Sequence, residues 1–229
     1  MAMDSFADRI LSLRNPHFTL DPFHTALVII DMQYVCASRS MGIGPIMKEK
    51  VSEEQWEYRF GRIENVIVPN ISRLLEFFRE NGLRVIYVTL GSEMPDCSDI
   101  FPHNRQFVLA IKNIKGHREH EILDEIKPLP GECVVNKLTS GAFNSSNIDI
   151  ILRAMDIKHL LFTGVVTNSC VEATARDAAD RGYRCIIVDD CCGAAEEALH
   201  NATLAKFRTM GRVSMTDEVI AELSGALSK

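Results

Sequence analysis

The chain has 229 residues, 46% hydrophobic and 24% charged, with a formal net charge of −6. That length holds one α/β domain or two small ones, and is enough to bury most of the apolar surface in one core. The acidic balance argues against a nucleic-acid binder, and no segment approaches the roughly 18 uninterrupted apolar residues of a membrane span.

The N-terminus, MAMDSFADRILSLRNPHFTLDP, lacks the basic start, long apolar run and small-residue cleavage site of a signal peptide. Short apolar, β-branched runs then alternate with helical patterns. The strands are expected at 25–31 (TALVIID), 84–90 (RVIYVTL), 133–137 (CVVNK), 159–165 (HLLFTGV), 184–190 (RCIIVDD) and 212–215 (RVSM). Each is a continuous apolar run, as suits a strand covered on both faces. Helices are expected at 62–81, 147–156, 168–181, 196–210 and 216–227, with Gly82, Gly182 and Gly211 as stops. This alternation predicts one parallel sheet with helices on both faces. Residues 36–60 and 91–120 are long and polar for strand-to-helix connections. Both follow strand C-terminal ends, where open α/β sheets bind ligands, so they are candidate lids or binding loops.

The seven cysteines show no CxxC spacing and are odd in number, which suits reduced thiols in a cytoplasm better than disulfides or a zinc site. Cys191 and Cys192 read as small residues after a strand. Cys170 is different: in T-G-V-V-T-N-S-C-V-E it follows an apolar strand and enters the next helix, where the field favours thiolate. Packing under the helix is the alternative, because free cysteine is among the most buried residue types.

Two more chemical residues end strands at the same edge of the sheet. Asp31 closes the first strand and Lys137 the third. Alone, the first also reads as a helix or loop cap, and the second more readily as a surface lysine. Together with Cys170 they form a set with chemical logic. The carboxylate takes the thiol's proton, the ammonium supports the thiolate, and the thiolate attacks a carbonyl carbon. Backbone N–H groups around residues 166–170 would receive the oxyanion, the acid would protonate the leaving nitrogen, and water would resolve the thioester.

The segments A-L-V-I-I-D-M-Q, K-L-T-S-G-A-F-N-S-S-N-I-D-I-I-L-R and T-G-V-V-T-N-S-C-V-E-A-T-A-R-D-A-A-D-R-G-Y resemble the isochorismatase-like cysteine hydrolase superfamily over roughly residues 22–220. The resemblance implies a three-layer α/β/α fold with a six-stranded parallel sheet in the order 3-2-1-4-5-6. It implies a single domain over 1–229, with 1–20 as an N-terminal extension. It also implies an Asp31–Lys137–Cys170 triad, a cis peptide at Val165–Val166, and an oxyanion hole at Val166 and Cys170. In that order strand three lies two places from strand one, roughly 10 Å away, so the Lys137 side chain has to cross the gap.

Departures narrow the branch. Nicotinamidases, which the chain otherwise resembles, carry an Asp-x-His metal site and a further His after the second strand. Here that region holds only His103, read as a solvated loop residue, so neither metal nor other cofactor is expected. Members that hydrolyse a vinyl ether often lack the cysteine. G-A-F-N-S-S-N-I-D-I-I-L-R and D-C-C-G look most like the branch acting on carbamoyl and ureido compounds, such as ureidoacrylate, biuret and N-carbamoylsarcosine hydrolases. The expected activity is therefore metal-independent hydrolysis of a small amide, ureide or carbamoyl compound by a cytoplasmic homodimer or homotetramer. Vinyl-ether hydrolysis and an inactive binding protein are the alternatives. Candidate substrate contacts are Arg39 and Arg105, whose guanidinium groups match a carboxylate. Gln33 and Asn144 are further candidates, and Trp56, with Tyr58 and Phe60, is read as pocket wall, lid or subunit contact.

Overall fold

A computed structural model describes residues 17–228. Its centre is a six-stranded sheet of β1 (Thr25–Ile30), β2 (Arg84–Leu90), β3 (Cys133–Lys137), β4 (His159–Val165), β5 (Arg184–Gly193) and β6 (Arg212–Ser214). All pairings are parallel and the order is β3-β2-β1-β4-β5-β6. The expected strands and their order are observed. β5 runs three residues further than its apolar stretch suggests, through Cys191, Cys192 and Gly193, with a register shift against β4 between Phe162 and Gly164.

The helices are α1 (Tyr34–Ala37), α2 (Ile43–Lys50), α3 (Glu53–Arg62), α4 (Val68–Glu80), α5 (Pro102–Ala110), α6 (Ile148–Ala154), α7 (Glu172–Asp180), α8 (Glu197–Phe207) and α9 (Thr216–Leu227). The strand pleat sends alternate residues to opposite faces. On one face Leu27 and Ile29 of β1 pack with Phe60, Leu74 and Phe78 of α3 and α4 and with Val219 and Leu223 of α9. On the other, Ala26, Val28 and Ile30 meet Ile148 of α6, Ala175 of α7 and Leu204 of α8. Both faces are thus apolar, which is why the strands read as unbroken apolar runs. The molecule is the three-layer α/β/α sandwich expected.

The two long connections are more ordered than their polarity suggests. Residues 36–60 contain α2 and most of α3, the latter begun by a capping box between Ser52 and Gln55. A π turn over Ile63–Ile67 joins α3 to α4, so the helix expected from residue 62 begins nine residues earlier, at Glu53. Residues 91–120 contain α5. Among the described residues no helix is long and apolar enough to cross a membrane. Of the expected N-terminal extension, residues 1–16 lie outside the described part. Leu20 is buried, and its N–H donates to Glu222 of α9.

Candidate active site

β1, β3 and β4 deliver Asp31, Lys137 and Cys170 to one place. β1 ends at Ile30, and Asp31 takes a left-handed φ of 51° while its N–H donates to the Val88 carbonyl of β2. A non-glycine residue rarely adopts that conformation, though aspartate does so more readily than most. The turn leaves the carboxyl buried, at 1% exposure.

Lys137 pairs in register with Leu90, whereas Ile30 pairs with Val88, so the lysine starts two residues further along the sheet than the end of β1. Its side chain is fully buried and reaches back across the end of β2. Its Nζ donates to Asp31 Oδ2 at 2.9 Å. The gap anticipated between strands three and one is closed in this way.

Cys170 is 8% exposed. It does not lie on the first turn of an α-helix but in a π turn over Thr167–Val171, broken by non-helical angles at Asn168, with α7 beginning only at Glu172. The peptide bond Val165–Val166 is cis, as expected. The Val166 carbonyl accepts from the N–H groups of Ser169 and Val171, which closes the turn.

The electrostatics revise one expectation. The resting thiol is not a thiolate: burial first, and then the Asp31 charge, push the Cys170 pKa up to about 12, and Lys137 opposes this only in part. Burial also raises the Asp31 pKa, against the pull of Lys137 and of its hydrogen bond with Cys170. At Lys137 burial disfavours the ammonium, but Asp31 and Cys170 outweigh it and the pKa rises. Asp31 Oδ1 is buried and is not taken by Lys137, which sits on Oδ2, leaving lone pairs for a proton. The resting site is therefore a neutral thiol beside an Asp–Lys ion pair.

The family model that matches the sequence is the isochorismatase domain, over residues 25–219. The chain belongs to the isochorismatase family. Among curated members it is 30% identical to the ureidoacrylate amidohydrolase RutB of Variovorax paradoxus, over 96% of this chain and 89% of that protein. It is 28% identical to the RutB of Pseudomonas savastanoi, over 94% and 90%. Among solved members, N-carbamoylsarcosine amidase from Thermoplasma acidophilum superposes with a TM-score of 0.64 at 27% identity, covering 84% of this chain and 96% of that one. A cysteine hydrolase from Pseudomonas syringae shares the fold, with a TM-score of 0.76 at 24% identity over 92% and 97%.

The other residues singled out in this isochorismatase-family sequence fall in varied places. Gln33 is fully buried and its amide is saturated: Nε2 donates to the Leu90 and His120 carbonyls, and Oε1 accepts from the Leu90 N–H. It ties β1, β2 and the His120 loop together. Arg39 is engaged by Glu57 through both terminal nitrogens and by Glu64 through Nε, and it stacks on Trp56 at 4.5 Å. Trp56 Nε1 donates to Gly44, so the tryptophan pins α2 against α3. Arg105, on α5, donates to the Ser98 and Ile100 carbonyls of the segment just before that helix. Asn144 is exposed and lines a cavity of about 340 Å³ with Thr139, Ser140 and His103. Tyr58 has a buried hydroxyl without a partner, and Phe60 is core. Among the described residues no cluster of three or more His, Cys, Asp or Glu side chains is suited to a metal.

Several supporting residues were not singled out from the sequence. Gly164, with φ 104°, faces Ile30; a Cβ there would stand 2.0 Å from the Ile30 carbonyl oxygen. Behind the Cys170 turn, Thr167 Oγ1 and His200 Nδ1 are 2.8 Å apart, His200 Nε2 meets Asp189 at 2.9 Å, and Arg62 Nε donates to the Cys192 carbonyl. No local motif announces this network, since its members come from α3, β5, α8 and the turn.

Proposed function

We propose that this isochorismatase-family member is a cysteine amidohydrolase that cleaves a C–N bond of a small amide, ureide or carbamoyl compound. The observation that carries the reading is the buried 2.9 Å contact of Lys137 with Asp31, with the Cys170 thiol against both. The ureidoacrylate amidohydrolase activity for which the RutB relatives are named and the N-carbamoylsarcosine amidase activity for which the Thermoplasma protein is named support it.

Because the resting thiol is protonated, deprotonation and attack are coupled. Asp31 takes the Sγ proton as Sγ bonds to the substrate carbonyl carbon. Lys137 offsets the negative charge that passes from the carboxylate to sulfur. The carbonyl electrons move to oxygen, where the Val166 and Cys170 N–H groups are assigned as donors. Collapse of this intermediate breaks the C–N bond, and the proton held on Asp31 passes to the departing nitrogen, which leaves as ammonia or an amine. Asp31, again ionised, takes a proton from water as its oxygen attacks the thioester. The thiol then recovers that proton and the acid or carbamate product departs. The raised Asp31 pKa suits a base that must hold a proton between steps. The assembly is proposed as a homodimer or homotetramer, and its location as cytoplasmic.

The test is ammonia release by wild type and Cys170→Ser across nicotinamide, N-carbamoyl amino acids, biuret and ureidoacrylate, with EDTA present. Turnover of a ureide that falls at least about 10³-fold in the variant, with EDTA indifferent, is the expected result. Abolition by EDTA would overturn metal independence. Silence across the panel would overturn the amidohydrolase reading.

A further inference from the structure

The turn that carries Cys170 is held only lightly by its own backbone. Over Thr167–Val171 it has non-helical angles at Asn168, and the N–H groups of Ser169 and Val171 share one acceptor, the Val166 carbonyl. Behind it stands an imidazole. His200 of α8 is 2% exposed, and Thr167 is fully buried. Thr167 Oγ1 meets His200 Nδ1 at 2.8 Å, and His200 Nε2 meets Asp189 Oδ1 at 2.9 Å.

The chemistry of the partners sets the direction of both bonds. An ionised carboxylate only accepts, and the contact with His200 holds the Asp189 carboxyl below its usual range. Nε2 therefore carries the hydrogen and donates to Asp189. In that tautomer Nδ1 is the acceptor, and the Thr167 hydroxyl donates to it. Arg62 Nη2 lies 3.2 Å from Nε2 but finds no lone pair there; it donates to the Asp189 carbonyl at 3.1 Å and lies 3.4 Å from Oδ1.

Strand β5 is shaped to supply this carboxylate. Ile187 pairs with Phe162 and Cys192 with Gly164, so β5 inserts extra residues opposite Thr163. Bulges of this kind re-aim side chains and are over-represented beside active sites. Asp189 lies within the bulge, and Arg62 of α3 fastens its far end by donating from Nε to the Cys192 carbonyl. Three elements, α3, β5 and α8, thus converge on one hydroxyl of the Cys170 turn. None of these side chains is the base, the ammonium or the nucleophile of the proposed reaction.

We propose that His200 is a positioning residue: by accepting the Thr167 hydroxyl, with Asp189 fixing its tautomer, it holds the turn in the geometry from which Cys170 attacks. This rests on the amidohydrolase reading and deepens it.

Two substitutions at one position separate the two bonds. In His200→Asn the amide oxygen stands near the place of Nδ1 and accepts from Thr167, while the contact with Asp189 is lost. In His200→Gln the amide N–H reaches towards Asp189, and Thr167 is left without its acceptor. Ammonia release from ureidoacrylate should show kcat at least about tenfold lower in His200→Gln, with KM within about threefold, and kcat largely restored in His200→Asn. Thr167→Val removes the same bond from the other side and should match His200→Gln, and the double variant should be no worse than either. If His200→Gln does not fold by circular dichroism, Thr167→Val carries the comparison. Alkylation of Cys170 by iodoacetamide at a fixed alkaline pH reads the turn without any substrate. It should quicken at least about threefold in His200→Gln and Thr167→Val, as a loosened turn exposes the thiol, and keep the wild-type rate in His200→Asn. Equal losses in the two His200 variants, kcat and 1/KM falling together, or an unchanged alkylation rate in Thr167→Val overturns the proposal. If wild type releases no ammonia while the alkylation pattern holds, the anchoring of the turn stands and the amidohydrolase reading fails.

Discussion

At the scale of single residues, the proposed chemistry turns on a thiol that is less acidic than its neighbourhood first suggests. A lysine and a helix start would both favour thiolate, but burial and the Asp31 carboxylate outweigh them, and the Cys170 pKa stands near 12. The alkylation rate of Cys170 by iodoacetamide, followed by peptide mass spectrometry, should therefore be slow at pH 7 and keep rising through pH 10 without a plateau. A plateau near the free-cysteine value of about 8.5 would show that a thiolate accumulates and that attack is not coupled to Asp31. Catalysis should have an acid limb as well. Asp31 must be ionised to act as base, and its pKa is raised by burial. The fall of kcat/KM at low pH is thus expected above the usual carboxylate range. Asp31, Lys137 and Cys170 could be picked out of the sequence as candidates because the first two sit where apolar strands end and the third follows an apolar strand by a few residues. His200 could not, since its partners Thr167 and Asp189 come from other elements.

At the scale of elements, the site depends on how closely β4 approaches β1 and on what backs the Cys170 turn. Gly164→Ala places a methyl group 2.0 Å from the Ile30 carbonyl and demands φ 104° of an L-residue. The expected loss is about 3 kcal/mol or more in urea denaturation, together with activity. His200→Ala should behave differently. It removes the 2.8 Å contact to Thr167 and the 2.9 Å contact to Asp189, which keeps only the 3.4 Å contact of Arg62, while α8 keeps its apolar packing through Leu204 and Phe207. A modest stability loss of about 1–3 kcal/mol with a larger fractional fall in kcat than in 1/KM is expected, and equal falls would mean that His200 does not position the turn. The strands were recoverable from periodicity. The interior of 36–60 was not: its helices rest on a local capping box and on packing of Trp56 and Phe60, neither of which produces a long apolar stripe.

At the scale of the whole molecule, ion pairs between distant segments set the response to acid. Burial works against the charge at Glu132 and Glu222, but Arg79 and Arg212 outweigh it, and both carboxyls titrate below their usual range. The His200 contact lowers Asp189 likewise. A depressed folded-state pKa contributes stability that is complete above the unfolded value of about 4 and is lost as pH falls through the folded value. Asp31, raised by burial, has the opposite sign, but it stands against these three and further lowered carboxyls such as Asp21 and Asp149. The urea midpoint should thus fall steadily between about pH 5 and pH 3, and Arg212→Met should flatten part of that slope. An unchanged slope in the variant would remove Glu222 from the account.

By itself the sequence determined the α/β class and the six strands and pointed to three candidate side chains that the fold brings together, because continuous apolar runs and polar residues near their ends are one-dimensional signals. Only the tertiary structure decided which charges are spent and which are free. Arg39 is consumed by Glu57 and Glu64 and Arg105 bonds only backbone carbonyls, whereas Arg59 is buried with one carbonyl acceptor and no carboxylate among the described residues. Hydrogen-bond saturation and desolvation depend on what surrounds a group in space, and the order of residues along the chain carries no direct record of that.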